Sequence, residues 1–540
     1  MDTDFPAITH PELVVGIAGP IGIDIDEINR ALEDAFKRVG YETVAIRITD
    51  VIANETSEIL APEDNDFGSS ISYKMSHASA ICRKYQSPDT LMRFAIKAIR
   101  EYRKRAFLRS GEPPREGDCP ENFAVPSTAY IIRQLKRPEE VDFLRRVYGK
   151  QFVLISAYGS QSERKRRLEK ALKKGLPVDK VGHEISALAD EIMHRDQNED
   201  VDSHGQHLRD TFHLADVFID GISKPDMNKT VTRFVDALFG KAEIAPTRWE
   251  YGMYAAKSAS LRSSDLSRQV GAAIFTHGGE IVTQGCNEVP KAGGGTYWDG
   301  DEYDNRDVKL GHDPNDLSKR EIIRDIIERL FDAELLSLEA KEYGKPSDIT
   351  HALLTTSASD LSKGRGALKE SSAMELTEYG RVVHAEMSAI CDAARMGRSL
   401  KGHVLFCTTF PCHNCTKHLL AAGISEVVYM EPYPKSKAKE LHENEIELER
   451  RAENRVAFLP FIGIAPARYR DIFQKGKRKG KDGQALRWIF GEPRPSIELS
   501  AITYTDLEFF ELKKLDHHLQ QTSSSIADSS QGTATAKPRP

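Results

Sequence analysis

Long apolar segments are missing from this sequence. Its 540 residues contain no run of about 18 apolar residues, the length that a membrane-spanning helix needs. The first residues, MDTDFPAITHPELVV, also lack the basic segment and apolar core of a secretory signal. We therefore expect a soluble, cytoplasmic protein without a membrane partner. With 40% hydrophobic and 29% charged residues, a chain of this length predicts two or three globular domains.

Cysteine is scarce and odd in number. The seven cysteines do not form the even set that a disulfide framework requires. Cys412 and Cys415 form a C-x-x-C pair, and the sequence has no second such pair to complete a structural zinc knuckle. Cys391 and Cys407 lie in apolar patterns, and we interpret them as packing residues.

An excess of positive charge is also absent. The 75 Lys and Arg residues against 82 Asp and Glu residues give a formal net charge of -7. Such a balance offers no general attraction to a polyanion, which argues against a nucleic-acid polymer as the default substrate. One basic run, at residues 164–174, is either a site for RNA or phosphate or a solvated helix face.

The amino-terminal part predicts an α/β domain. Residues 13–48 have the pattern of a strand, a glycine-containing turn, a helix and a second strand. Further buried strands are expected at 152–159 and 215–221. This order indicates a parallel sheet covered by helices, in a first domain over residues 1–245.

The first turn lacks a functional phosphate-binding loop. The GxxxxGK[ST] motif uses its lysine for phosphates and its hydroxyl for magnesium. Counted from Gly19, the last three motif positions hold Asp24, Ile25 and Asp26. We therefore expect no ATP hydrolysis, and the two aspartates either oppose an anion or simply cap the helix. Gly19 and Gly22 remain candidates for cofactor binding.

The pattern changes after residue 245, which predicts a second domain over 246–480. It begins with a helix and a hairpin, and residues 291–379 are interpreted as an insertion with one amphipathic helix over 320–340. A helix, a strand, a second helix and another strand complete the domain. Residues 481–540 are expected to form an extension, disordered from about residue 520 because that segment is polar and lacks aromatic residues.

Two short motifs in the second domain carry the chemistry. His384 and Glu386 belong to an H-x-E motif, and Cys412 and Cys415 belong to P-C-x-x-C. Zinc favours nitrogen and sulfur ligands, and a catalytic site keeps its fourth position open for water. Cysteines three apart at a helix start reach one ion, and a histidine opening another helix completes the set. Glu386 is free to carry protons, so the combination predicts a zinc-dependent nucleobase deaminase.

The wider sequence resembles one deaminase family. The segments SRQVGAAIF, GCNEV, HAEMSAI and CTTFPCHNC, in this order, are similar to the deoxycytidylate deaminase family. The resemblance implies a cytidine deaminase-like α/β/α fold and a contact from Asn287 to the sugar 3′-hydroxyl. It also implies polar residues near the phosphate at Arg268 and Gln269, and pocket residues at Tyr429 and Lys435. The alternative interpretation of Asn287 is a turn residue without a substrate contact, and that of Lys435 is a solvated surface lysine.

A narrower resemblance covers about residues 13–473. The degenerate P-loop, RDTFHLADVFID, SSDLSRQVGAAI and CNEVPKAGGGTYW together resemble bacterial anti-phage dCTP deaminases. This implies a kinase-like regulatory first domain and conversion of dCTP and dCMP to dUTP and dUMP, which drains the pool that phage replication needs. It further implies a homo-oligomer and a small inhibitory RNA or other antitoxin. The alternatives are a housekeeping dCMP deaminase for thymidylate supply and a nucleic-acid-editing cytosine deaminase.

Overall fold

The computed structural model of the chain describes residues 9–62, 66–111, 119–174, 182–197, 206–355, 366–369, 371–433, 436–485, 488, 493–497 and 503–515. It divides into two compact units, Met1–Glu250 with Phe461–Pro540, and Tyr251–Pro460. In the described ranges, no helix is both long enough and apolar enough to cross a bilayer.

The strands are β1 Leu13–Ala18, β2 Glu42–Arg47, β3 Thr128–Arg133, β4 Phe152–Tyr158, β5 Val217–Asp220, β6 Gly271–Phe275, β7 Ile281–Cys286, β8 Val404–Thr409, β9 Glu426–Glu431, β10 Ile446–Leu448, β11 Val456–Pro460 and β12 Gly463–Ile464. The helices of the first unit are α1 Ile25–Arg38, α2 Ile48–Val51, α3 Phe67–Lys84, α4 Thr90–Ser110, α5 Pro138–Tyr148, α6 Gln161–Lys173, α7 Gly182–Gln197, α8 Leu208–Phe212 and α9 Lys224–Leu238. They are followed by α10 Arg248–Ser260, α11 Asp307–Leu310, α12 Pro314–Asp332, α13 Leu338–Lys341, α14 Pro346–Leu354, α15 Ala385–Arg395, α16 His413–Ala421, α17 Ala438–Leu441, α18 Tyr469–Phe473 and a helix over 504–515.

The first unit is built on a mainly parallel sheet. Its strand order is β12-β5-β4-β1-β3-β2, and all neighbours are parallel except β12 and β5. Residues of β1 and β4 are buried on both faces, as expected for a sheet covered by helices on each side. The predicted α/β character of this part of the chain agrees with these elements.

The carboxy-terminal segment belongs to the first unit, unlike the predicted division of the chain at residue 480. The strand β12 pairs antiparallel with β5, and the amide of Ser496 donates to the carbonyl of Leu238. In the helix over 504–515, Glu508 accepts from buried Arg103 at 2.5 Å. The strands β5 and β12 are too distant in sequence to be assigned to one sheet from local patterns. The spacing of apolar residues predicts a strand, but it does not predict which distant strand will pair with it.

A buried polar network holds the two ends of the first unit together. Arg103, fully buried, donates to Glu12 at 2.8 Å and to Glu508. The hydroxyl of Tyr148 donates to Glu508 at 2.8 Å and that of Tyr504 to Glu12 at 2.8 Å. Every charge in the network has a partner, which a buried charge requires.

The Tyr148→Phe variant tests this network. Removing the hydroxyl takes one donor from a buried carboxylate, so we expect the first unit to lose about 1–3 kcal/mol of stability. Urea denaturation of the full chain measures the loss. Tyr102→Phe is the matched control, because the Tyr102 hydroxyl has no hydrogen bond among the described residues. Equal midpoints for the two variants would contradict the expected contribution of the network.

The second unit contains the other sheet. Its order is β10-β11-β9-β8-β6-β7, parallel from β10 to β8 and antiparallel at β6 and β7. The helix α15 packs closely on β7 at Gly285, where a Cβ atom would lie 2.3 Å from the carbonyl oxygen of Ala385. Glycine at this position therefore allows the amino-terminal end of α15 to approach the sheet.

The insertion has more helices than the one that was predicted over 320–340. Asp313 caps α12, which begins earlier at Pro314 and ends at Asp332. Glu334 then adopts a positive φ of 58°, and α13 starts separately after Ser337. The apolar pattern continued across this turn, so the sequence alone did not separate the two helices.

Candidate metal and active site

Three predicted metal ligands come together in the second unit. His384, Cys412 and Cys415 place one ligand atom each within 4.8 Å of one another. Both Sγ atoms lie 3.4 Å from Nδ1 of His384. One imidazole nitrogen and two sulfurs suit zinc, and three protein ligands are the number that a catalytic zinc site uses. Within the described residues, this is the one group of three or more such side chains that could hold a metal.

Two helix starts position these ligands. His384 precedes the first residue of α15, and hydrogen bonds between Glu288 and Val383 hold the chain just before it. Cys412 is the N-cap of α16, and its Sγ accepts from the amide of Cys415 at 3.4 Å. Hydrogen bonding from Cys415, then from His384, lowers the pKa of the Cys412 thiol to about 4. This favours the thiolate, which is the form that binds a metal.

Glu386 lies two residues after His384, in the first turn of α15. Its side chain is 4% exposed and faces the same cavity as His384 and Cys412. Burial raises the pKa of its carboxyl above the ordinary value. A carboxyl beside a metal site that is not itself a ligand is suited to accept and return a proton.

The cavity beside the metal ligands has a volume of about 220 Å³. Its lining includes Arg268 and Asn287 of the predicted substrate-binding set, together with Tyr433. Arg268 pairs with Glu431 at 2.7 Å, and its guanidinium lies over the ring of Tyr433. The side chain of Arg268 is 44% exposed, so it can still turn toward an anion in the cavity.

Asn287 is tied to the backbone that borders the cavity. Its Oδ1 accepts from the amide of Val270 at 2.7 Å, and its Nδ2 donates to the carbonyl of Arg268 at 2.8 Å. An amide group has two N–H donors, so one donor remains for a substrate. The side chain therefore supports the loop that carries Arg268, in addition to any contact with a sugar.

The other predicted pocket residues are placed differently. Gln269 donates to the carbonyl of Ser263 at 2.8 Å and does not line the cavity. Tyr429 packs edge-on against Phe410 in the hydrophobic core, also away from the cavity lining. Residues of a strand alternate between faces, and the sequence match did not establish which face Tyr429 occupies. Lys435 lies outside the described residues.

The insertion supplies part of the cavity wall, which sequence reasoning missed. Asp307 and Arg381 line the cavity and form an ion pair of 2.7 Å. Arg381 also donates to the carbonyl of Asn305. The nearest sequence signal was the position of Arg381, three residues before His384. Nothing in the polar insertion itself marked Asp307.

The predicted cofactor glycines have structural contacts of their own. The carbonyl of Gly19 accepts from Lys136 at 2.7 Å. Gly22 has a φ of 92°, and a Cβ there would lie 2.6 Å from the carbonyl oxygen of Arg164. Glycine at this position is thus required by close packing and backbone conformation. The side chain of Asp24 accepts a hydrogen bond from the backbone amide of Glu27 and caps α1. A helix cap was one of the two roles that the sequence left open for this aspartate.

A substitution of Asn287 separates its two roles. If its free N–H contacts a 3′-hydroxyl, Asn287→Ala should lower kcat/KM for dCMP by about tenfold or more, because substrate and loop contacts are both lost. With 2′,3′-dideoxycytidine monophosphate, which lacks that hydroxyl, the loss should be smaller. Steady-state kinetics with both nucleotides measure the difference. An identical loss for both would leave Asn287 as a loop-supporting residue only.

Comparison with known proteins agrees with this geometry. Residues 246–431 match the family described as the cytidine and deoxycytidylate deaminase zinc-binding region. The match agrees with the grouped His and Cys ligands, and the prediction of a zinc cofactor is confirmed.

Individual relatives match over a short segment. The chain is 44% identical to the deoxycytidylate deaminase of Enterobacteria phage T2 over 55 residues, which is 10% of this chain and 29% of that protein. It is 39% identical to the deoxycytidylate deaminase of Homo sapiens over 54 residues, again 10% of this chain and 29% of that protein. The chain thus spans less than a third of the length of these curated relatives.

Two solved structures of the dCMP deaminase from the cyanophage S-TIM5 are also similar to this chain. The apo form has 16% sequence identity and a TM-score of 0.21, covering 40% of this chain and 99% of that chain. The complex with dCMP and dUMP has 18% identity, the same TM-score and the same coverage.

Proposed function

We propose that the chain is a hydrolytic deaminase of deoxycytidine nucleotides. The observation that carries this proposal is the placement of Glu386 on the same cavity as His384 and Cys412, two of the three grouped metal ligands. A protein that used zinc only for structure would need a fourth protein ligand, and it would have no use for a buried acid facing an open cavity.

The residues divide the chemistry between binding a metal and moving protons. When bound, zinc supplies Lewis acidity that lowers the pKa of a water molecule in its open position. Glu386 accepts a proton as the water oxygen bonds to C4 of the cytosine ring, and it delivers a proton to the ring nitrogen N3. It then carries the remaining proton of the added hydroxyl to the exocyclic amine. The C4–N bond breaks as the C4–O bond becomes a carbonyl, and the uracil nucleotide and ammonia leave.

Cations around the cavity favour a nucleotide over a free base. Arg268 and Arg381 both line the cavity and provide guanidinium groups suited to phosphate. We therefore propose dCMP and dCTP as substrates, in keeping with the deoxycytidylate deaminases among the similar proteins. Ion pairs now hold both arginines, so phosphate would compete with Glu431 and Asp307 for them.

A substrate panel tests the proposal. Purified protein incubated with dCMP, dCTP, cytidine and single-stranded DNA should form uracil products from the two nucleotides. Ammonia release and chromatography of the products give the rates. Deamination of single-stranded DNA in preference to both nucleotides would favour the nucleic-acid-editing alternative. No deamination of any of the four would overturn the proposal.

We further propose that the reaction depletes deoxycytidine nucleotides in the cytoplasm as a defence against phage. Support comes from the sequence resemblance that extends into the first unit, which a housekeeping supply of thymidylate would not require. In this role the first unit restrains the deaminase, and an inhibitory RNA is the proposed silencing partner. The proposed enzyme is a homo-oligomer.

Nucleotide profiling of expressing cells tests the defence role. The dCTP pool should fall during infection, whereas a steady dCTP pool would favour the housekeeping role.

A further inference from the structure

A second cleft, with a volume of about 780 Å³, lies in the first unit. It is lined by the loop after β1, by the last residues of β2 and β3, and by residues of α3 and α6. The strands β1 and β3 are neighbours in the sheet. After β1 the chain continues to β2, which lies beyond β3, and after β3 it continues to β4, which lies beyond β1. The two connections therefore leave this pair of strands in opposite directions. Ligands of open parallel sheets bind at such a switch point, outside the carboxyl ends of the strands.

Two arginines meet at this edge of the sheet. Arg47 ends β2 and Arg133 ends β3, and the two residues are partners in the parallel register. Both approach the same oxygen of Asp26, at 3.5 Å from Arg47 and 2.6 Å from Arg133. Among the described residues, Nε of Arg133 has no hydrogen-bond partner although it is buried. The two guanidinium groups thus have more N–H donors than this carboxylate occupies.

The carboxylate between these arginines is open to exchange with a ligand. The Asp26 side chain is 61% exposed and that of Arg47 is 49% exposed, whereas that of Arg133 is 12% exposed. Because Asp26 itself faces water, its ion pairs are screened and contribute less free energy than fully buried pairs do. A phosphate group offers more acceptor oxygens and greater charge, so it can replace Asp26 between the two guanidinium groups.

The loop after β1 is already occupied by a carboxylate of the chain itself. Asp196 accepts from the amide of Ile21 at 2.7 Å and from Nζ of Lys136 at 2.8 Å. The Asp196 side chain is 4% exposed, so this pair is far less open to exchange than Asp26. A ligand phosphate is therefore directed to the arginines and away from the loop.

We propose that this cleft binds a phosphate monoester of nucleotide size, with the phosphate between Arg47 and Arg133 in place of the Asp26 carboxylate. Phe67, Ile71 and Met75 line the same cleft and provide an apolar surface for the body of the ligand. The cleft volume is in the range of small-molecule sites, and it is larger than a phosphate alone requires. The site is separate from the zinc cavity and does not depend on deaminase activity.

Calorimetry with the full-length protein tests the proposal, using AMP, GMP, UMP, TMP and inorganic phosphate as probes. At least one of the four nucleotides should bind more tightly than inorganic phosphate. Arg47→Gln and Arg133→Gln should each weaken its binding by about tenfold or more, because a charged hydrogen bond is lost. Asp26→Asn should tighten it by about threefold or more, because a competing anion is removed. Arg30→Gln, an exposed arginine of α1 outside the cleft, should leave it unchanged.

The opposite effects of the arginine and aspartate changes separate ligand binding from folding. A variant that merely destabilised the unit could not bind more tightly, and Arg47 is exposed enough for its loss to leave the fold intact. No binding of any nucleotide at millimolar concentration would overturn the proposal. So would nucleotide binding that survives both arginine substitutions, binding weakened by Asp26→Asn, or equal affinity for inorganic phosphate and every nucleotide.

Discussion

Replacing Glu386 with glutamine should lower kcat for dCMP by about 10³-fold or more, while the protein still binds zinc. General acid–base groups contribute about 10²–10⁴-fold to rate, and here one carboxyl is proposed to serve several proton transfers. Glutamine has nearly the same shape, so the buried position of residue 386 stays filled. Because Glu386 is not one of the three ligands, metal content should match that of the unaltered protein.

The measurement pairs steady-state deamination with metal analysis by mass spectrometry. Glu440→Gln is a suitable control, since this exposed residue of α17 carries the same change in charge and is not part of the cavity lining. Its rate should equal that of the unaltered protein. If Glu386→Gln kept more than about a hundredth of the rate, the proton-carrier role would be wrong, given the size of acid–base effects.

The Cys415→Ser variant should lose zinc and deaminase activity together. The Cys415 side chain is 1% exposed, and its sulfur lies beside Nδ1 of His384. A hydroxyl is a harder and much less acidic ligand than a thiol, so it binds zinc poorly. We expect metal content well below one zinc per chain and a rate near the detection limit.

Cys391→Ser provides the matched control for this change. Cys391 was expected to be a packing residue, but it is exposed on α15, the helix that begins after His384, and it is not among the metal-binding group. It should keep full zinc content and full activity. Full zinc in Cys415→Ser would remove Cys415 from the ligand set, even if the activity of the variant were low.

The zinc site could be predicted because its information is local. The ligand pattern lies in two short motifs, and each motif begins a helix whose start is visible in the sequence. The strands β8 and β9 were predicted on similar grounds, from short apolar runs between helices. Local periodicity is enough for such elements because neighbouring residues determine it.

The cavity wall could not be predicted in the same way. Asp307 lines the cavity, where it pairs with Arg381, a residue 74 positions later in the chain. The double hydrogen bonding of Asn287 likewise depends on two backbone groups across a hairpin. These features are products of tertiary packing, which a single sequence records only indirectly.

The first sheet also has a consequence for the order in which the chain can fold during synthesis. The ribosome releases β1 to β5 first, but the neighbour of β5, the strand β12, follows only after all of residues 251–460. Glu508, the partner of buried Arg103, emerges later still. Nascent chains usually complete amino-terminal domains first. Here the second unit is fully translated while the first unit still lacks an edge strand and a counter-charge, so the unit that begins synthesis is the last to finish folding.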